Sequence, residues 1–279
     1  MKTVHIQDFT DPTCPFSYSL EPVRWRLQWL YGDQLSWEST MIVLSETIDP
    51  NGKLTPELLA RGMARLKDQN GMPINSDPRP RLSTSIEVCR AYIAVLLNEP
   101  SKTEAVLREL RIAIMAGELA DDPTTVSKVI QKCDIDEGAL KTWLAQPAVE
   151  AKLRSDMRAA RKPSPIALAL SHKLGTLPDG AKRYSAGSYV VSVDGEVKFE
   201  LPGFWPLATY ELVTANLAPE LSRQPDAPDV KTVLEWTAAP LATVEVAAIM
   251  NKPVDDVRTE LKKSAHFTPV AEDGFWSLA

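Results

Sequence analysis

One junction constrains this chain more than any other: an apolar run, Val4-His5-Ile6, passes through Asp8-Phe9-Thr10-Asp11-Pro12-Thr13 to a single cysteine, Cys14, and straight into an amphipathic run from Leu20 to Trp29. The first run predicts a buried strand over 4–10, and the second predicts a helix over 15–31. Pro15 suits the first helical turn, where its missing N–H has no partner to lose. A cysteine at that helix start faces unpaired backbone N–H groups and the positive end of the helix dipole. Position alone is therefore expected to favour its thiolate. The stretch Cys14-Pro15-Phe16-Ser17 reads as a Cys-x-x-Cys redox motif whose fourth residue is serine.

The residues beyond this junction support an α/β reading. Gly32 in Tyr31-Gly32-Asp33 closes the helix. Leu35 to Leu44 is a second strand, alternating at first and then continuously apolar, as a central strand is. A helix between the two strands is long enough to join them in parallel. Thr55 and Pro56 open a helix to Asp68. Proline-rich loops follow at 71–80, then helices over 83–97, 102–117, 123–133, 136–144 and 147–161. Residues 164–174 read as helical or extended linker. Tyr189 to Val193 and Glu196 to Phe199 flank Asp194-Gly195, a strong hairpin signal. Pro206 to Leu217 is a closing helix. Pro219 to Pro228, with three prolines, reads as a linker. Residues 230–236, 242–250 and 254–265 are helical, and 267–278 form a hairpin.

In its order of parts the chain resembles the DsbA-like disulfide oxidoreductase family, and looks closest to its cytoplasmic, FrnE-type branch of dithiol–disulfide isomerases. The resemblance rests on Asp11 to Ser17, Glu21-Pro22, Tyr31-Gly32-Asp33, Ser85 to Ala91 around Cys89, Gly117 to Pro123 and Pro147 to Lys173. It implies a thioredoxin-like fold (1–54 and 162–218) with a large all-helical insertion (55–161). Residues 229–279 are then expected to form a small winged-helix-like module. The chain departs from the family in three ways. Ser17 replaces the second active-site cysteine. Gly187, in Ala186-Gly187-Ser188, stands where the family places a cis-proline. Neither Cys89 nor Cys133 sits in a second Cys-x-x-Cys.

Cys14 is accordingly the candidate nucleophile, and Ser17 its hydrogen-bonding partner. Pro15, Phe16, Tyr18 and the stretch Pro202-Gly203-Phe204-Trp205, with Gly187 and Ser188 from the family's loop, are read as lining a substrate groove. A lone thiol supports mixed-disulfide chemistry with a protein thiol or a small-molecule thiol such as glutathione. It equally fits a decayed site on a binding or adaptor protein. A third reading is a glutathione-dependent isomerase or transferase, as in kappa-class glutathione transferases and 2-hydroxychromene-2-carboxylate isomerase, relatives of this fold. Cys89 shares a helix face with Tyr92, Ile93 and Leu96 and reads most simply as core, the alternative being that it faces the active site. No cofactor is expected beyond glutathione as a co-substrate, and the scattered His5, His172 and His266 predict no metal.

Composition narrows the classes. The formal net charge is −6, and residues 229–279 hold five Lys/Arg against eight Asp/Glu. Phosphate repulsion then argues against nucleic acid. There is no apolar run of membrane-spanning length and no signal peptide at the start, so a cytoplasmic location without membrane contact is expected. Three cysteines in a reducing compartment predict no disulfide framework. The oligomeric state is not readable.

Overall fold

The computed structural model describes residues 4–237 and 239–279. It opens with β1 (Val4–Thr10), α1 (Pro15–Tyr18), α2 (Glu21–Tyr31) and β2 (Leu35–Met41). β1 and β2 are parallel, in register from Val4 opposite Leu35 to Thr10 opposite Met41. The predicted helix over 15–31 is broken after Tyr18. Pro22 supplies no N–H, and its ring would collide with the carbonyl four residues back, that of Tyr18. β2 stops three residues short of Leu44, because Val43 takes a left-handed φ of 51° and the Leu44 N–H is turned to the Asp11 carboxylate.

The helical block comprises α3 (Pro56–Asn70), α4 (Ile86–Asn98), α5 (Thr103–Ala116), α6 (Pro123–Lys132), α7 (Glu137–Leu144) and α8 (Pro147–Ala160). Its boundaries follow local chemistry. Thr55, Asp122 and Asp136 accept first-turn N–H groups, and Gly71 and Gly117 end α3 and α5 in the left-handed region. Ser85 precedes α4 but does not cap it, since its hydroxyl accepts the Ser45 N–H instead. One large core gathers this block, with Cys89 and Tyr18 inside it.

The chain returns through α9 (Pro165–Ala169) and two short paired strands, β3 (Gly175–Thr176) and β4 (Lys182–Arg183). The hairpin β5 (Ser188–Val193) and β6 (Glu196–Leu201) completes a sheet of order β2-β1-β5-β6. Its turn, Asp194 and Gly195, has φ of 52° and 79°, the two positive values a tight two-residue hairpin needs. α10 (Leu207–Leu217) follows.

The tail contains α11 (Val230–Trp236), β7 (Leu241–Ala242), α12 (Thr243–Met250), α13 (Val254–Ser264), β8 (Ala265–Val270) and β9 (Asp273–Leu278), with sheet order β7-β9-β8. It shares a hydrophobic core with α2, β1 and β5. The proline-rich stretch before it is strapped to α2. The Trp29 indole donates to the Pro225 carbonyl at 2.9 Å, the Gln224 N–H donates to the Leu30 carbonyl at 2.8 Å, and Arg26 pairs with Asp226 at 2.7 Å. Buried ions join all three parts. Arg108 of α5 meets Glu21 of α2 at 3.0 Å and grips Glu245 of α12 through two 2.8 Å bonds, while Arg111 pairs with Glu21. Burial raises the Glu21 carboxyl, but Arg111, Arg108 and Arg24 outweigh it and leave Glu21 below its ordinary range.

Candidate active site

Cys14 terminates the loop after β1 and precedes α1 with extended backbone, φ −81° and ψ 113°. Its N–H donates to the Asp11 carbonyl at 3.0 Å, which folds the loop into a tight turn. Asp11 is fully buried and organises everything around it. One carboxylate oxygen accepts from the Thr13 N–H at 2.8 Å and the Thr13 hydroxyl at 2.7 Å. The other accepts from the Leu44 N–H at 2.7 Å and the Cys89 thiol at 3.7 Å.

The thiol departs from what the helix start alone predicts. Cys14 is 6 % exposed, and burial is the largest influence on it, pushing its pKa up. The Asp11 charge adds to that rise, while the Ser17 and Phe16 N–H groups and the Ser17 hydroxyl pull the other way without prevailing. α1 is only four residues long, so it offers little aligned dipole to offset desolvation. Cys14 therefore rests as a thiol at neutral pH. The Ser17 hydroxyl oxygen is buried with no hydrogen-bond partner among the described residues.

Cys89 is a core residue: it is fully buried, and burial followed by the Asp11 charge drives its pKa well above the ordinary thiol value. Cys133 is half-buried, and burial raises it to about 11. All three cysteines are free. Among the described residues no cluster of metal-ligating side chains occurs.

The loop before β5 packs against the end of β1 and the helical turn that follows Cys14. The Gly187 N–H donates to the Phe9 carbonyl at 2.7 Å, and a Cβ at 187 would lie 3.8 Å from Ser17 Cα and 2.8 Å from Leu20 Cδ1. Its φ of +84° explains the glycine. Beside this contact opens a groove of about 520 Å³, lined by Cys14, Pro15 and Phe16 together with Lys173, Arg183 and Phe204. Phe16 is 47 % exposed at its mouth, edge-on to Phe204.

Other predicted site residues lie elsewhere. Tyr18 points into the helical core, its hydroxyl donating to the Pro73 carbonyl at 3.0 Å. Ser188 is fully buried, donating to the Ser185 carbonyl and accepting the Gly203 N–H. Trp205 does not line the groove, and its ring lies 4.3 Å from the Lys173 ammonium. The two cations of the groove are not among the residues that sequence pointed to. Arg183 sits in a two-residue strand with no pattern of its own. Lys173 carried a weak signal, as the end of a stretch shared with the family. Lys173 donates to the Phe204 carbonyl and Arg183 to the Tyr184 carbonyl, and among the described residues neither pairs with a carboxylate. Burial lowers the Arg183 pKa, against the pull of the Asp11 charge.

Residues 5–164 match the model of the DsbA-like thioredoxin domain, more than half of the chain. The chain belongs to the DsbA-like family. Solved structures agree on the fold of this DsbA-like protein. Cytosolic disulfide reductase DsbM from Pseudomonas aeruginosa superposes with a TM-score of 0.56 at 12 % identity, covering 77 % of this chain and 99 % of its own. A Nitrosomonas europaea protein assigned as a disulfide isomerase gives 0.61 at 15 % identity, over 78 % and 98 %. Among curated proteins, the ClpXP adapter protein SpxH of Bacillus subtilis (strain 168) is 23 % identical over 283 residues, 97 % of this chain and 86 % of the adapter. Among the described residues, no helix is long and apolar enough to cross a membrane.

Proposed function

We propose that this DsbA-like protein is a monothiol oxidoreductase acting through Cys14 on an anionic disulfide, with glutathione as the small co-substrate. The observation that carries the reading is the pair of cations without carboxylate partners among the described residues, Lys173 and Arg183, which line the same groove as the thiol. Cys14 loses its proton to solvent, and its thiolate attacks one sulfur of a disulfide R–S–S–R′. A Cys14–S–S–R bond forms as the R–S–S–R′ bond breaks, and R′S⁻ leaves and takes up a proton. A second thiol, R″SH, then attacks the adduct, releasing R–S–S–R″ and restoring Cys14. The exchange has no net oxidant, and it needs no resolving cysteine. Lys173 and Arg183 hold the carboxylates of the substrate, and the Ser17 hydroxyl donates to the sulfur that carries charge. The cytosolic setting of DsbM supports the same reducing compartment for this chain.

The test is incubation with glutathione disulfide followed by intact-mass and peptide mapping. One adduct on Cys14 is expected, absent from Cys14→Ser and slower to form in Arg183→Ala at low salt. No adduct after prolonged exposure at pH 8.5 defeats the proposal.

A second reading, a redox-silent adaptor on the same fold, has its own support. Residues 229–279 make up 18 % of the chain, so an alignment over 97 % of it to the SpxH adapter takes in the tail. If Cys14→Ala preserved every binding and cellular readout of the protein, this reading would replace the first.

A further inference from the structure

A second depression lies in the helical block, formed by other elements than the thiol groove. It encloses about 390 Å³ between α4, α7 and the start of α6. Its floor is apolar: Ala91 and Ala120 are buried and small, which makes the hollow, and Val126, Leu140 and Leu144 wall it. Leu140 and Leu144 are one turn apart on α7, so the hollow runs along that helix for ~10 Å between Glu137 and Leu144. Its size is within the range of ligand-binding clefts, about 300–1,000 Å³.

The rim has a definite sign. Glu87, Asp121, Asp122 and Glu137 line the hollow, against the single ammonium of Lys141. Two arginines reach these carboxylates: Arg90 pairs with Glu87 at 2.7 Å, and Arg81 pairs with Asp121 at 2.8 Å. Asp122 is spent on capping α6, and Glu137 accepts from Gln131. Asp121 Oδ1 is buried with no hydrogen-bond partner, which leaves one carboxylate acceptor unused at the wall. An apolar floor under an acidic rim complements a side chain that is apolar at its tip and flanked by positive charge.

We infer that this hollow is a docking site for a partner-protein segment carrying a large apolar anchor between lysine or arginine residues. The anchor fills the space over Ala91 and Ala120, and the flanking cations meet the exposed carboxylates of Glu87 and Glu137. Docking here leaves the thiol groove open, so it is independent of the chemistry at Cys14.

The experiment uses the full chain, ¹⁵N-labelled, and an acetylated Arg-Phe-Lys amide as probe, with Glu-Phe-Glu as its acidic counterpart. The basic peptide is expected to shift amides of 87–91, 120–127 and 137–144 selectively, with weaker binding as salt rises. The Glu87→Lys/Glu137→Lys variant changes two exposed rim residues and so keeps the fold. It is expected to bind about tenfold more weakly, the combined effect of reversing two exposed charge contacts. No shifts at millimolar peptide overturns the inference, as does equal binding of the acidic peptide or of the rim variant. Shifts at the same residues that grow with protein concentration alone would assign the hollow to a second copy of the chain, and that too overturns it.

Discussion

Replacing Asp8 by asparagine is expected to stabilise the protein at neutral pH. Asp8 lies on β1 beneath α2, 4 % exposed, with one carboxylate oxygen unpartnered and the other 3.5 Å from Arg111. Burial raises its pKa from the usual 3.8 to about 6, against the pull of Arg111 and Arg24 and with help from Glu21. The folded state thus holds the proton more tightly than the unfolded chain does. The unfolded carboxyl ionises first as pH rises, so stability falls between about pH 4 and pH 6 and is level above that. The interval of roughly two pKa units, at 1.36 kcal/mol each, is worth about 3 kcal/mol. Asparagine keeps the shape and never ionises, so it recovers that amount above pH 6 and nothing below pH 4. Arg111 keeps Glu21 and a 2.6 Å bond to the Thr10 hydroxyl, so it is not stranded by the change. Urea unfolding of both proteins between pH 4.5 and 8 measures the difference. At about 2–4 °C per kcal/mol for a chain of this size, thermal midpoints separate by several degrees at pH 7. An Asp8→Asn protein less stable than wild type at pH 7, or a difference that does not change with pH, would refute the reasoning and make the Arg111 pair a net stabiliser.

Ser17→Ala removes a buried hydroxyl with no hydrogen-bond partner among the described residues, so unfolding free energy is expected to hold while iodoacetamide alkylation of Cys14 at pH 8 slows. Gly187→Ala forces a side chain into a left-handed backbone with a Cβ 2.8 Å from Leu20, and is expected to cost about 1–3 kcal/mol in urea unfolding. Arg108→Met leaves Glu21 short of one partner and Glu245 without its arginine, and is expected to cost about 3–5 kcal/mol, with faster hydrogen exchange in α12 as the local readout. Alkylation of Cys14 itself is expected to keep accelerating with pH past the ordinary thiol range, and a plateau near neutrality would contradict its burial.

The elements of the fold were legible because their signals are local. Thr55-Pro56, Asp122-Pro123 and Asp136 announce helix starts wherever they occur, and Asp194-Gly195 announces a hairpin, since caps and turns use only neighbouring backbone. The strand-to-helix placement of Cys14 was equally plain. Sequence could not tell how deeply that cysteine is buried, and burial, not the helix start, sets its acidity. Nor could it bring Lys173 and Arg183 to the thiol, because a groove exists only once distant segments pack. The proline-rich stretch before the tail shows the same limit. Its composition is that of a tether, but Trp29, Leu30 and Arg26 on α2 hold it down, and contacts between residues nearly two hundred positions apart leave no period or motif in either segment. The junction at Cys14 thus determined which chemistry is conceivable, while desolvation by the packed tertiary structure decided the state in which that thiol rests.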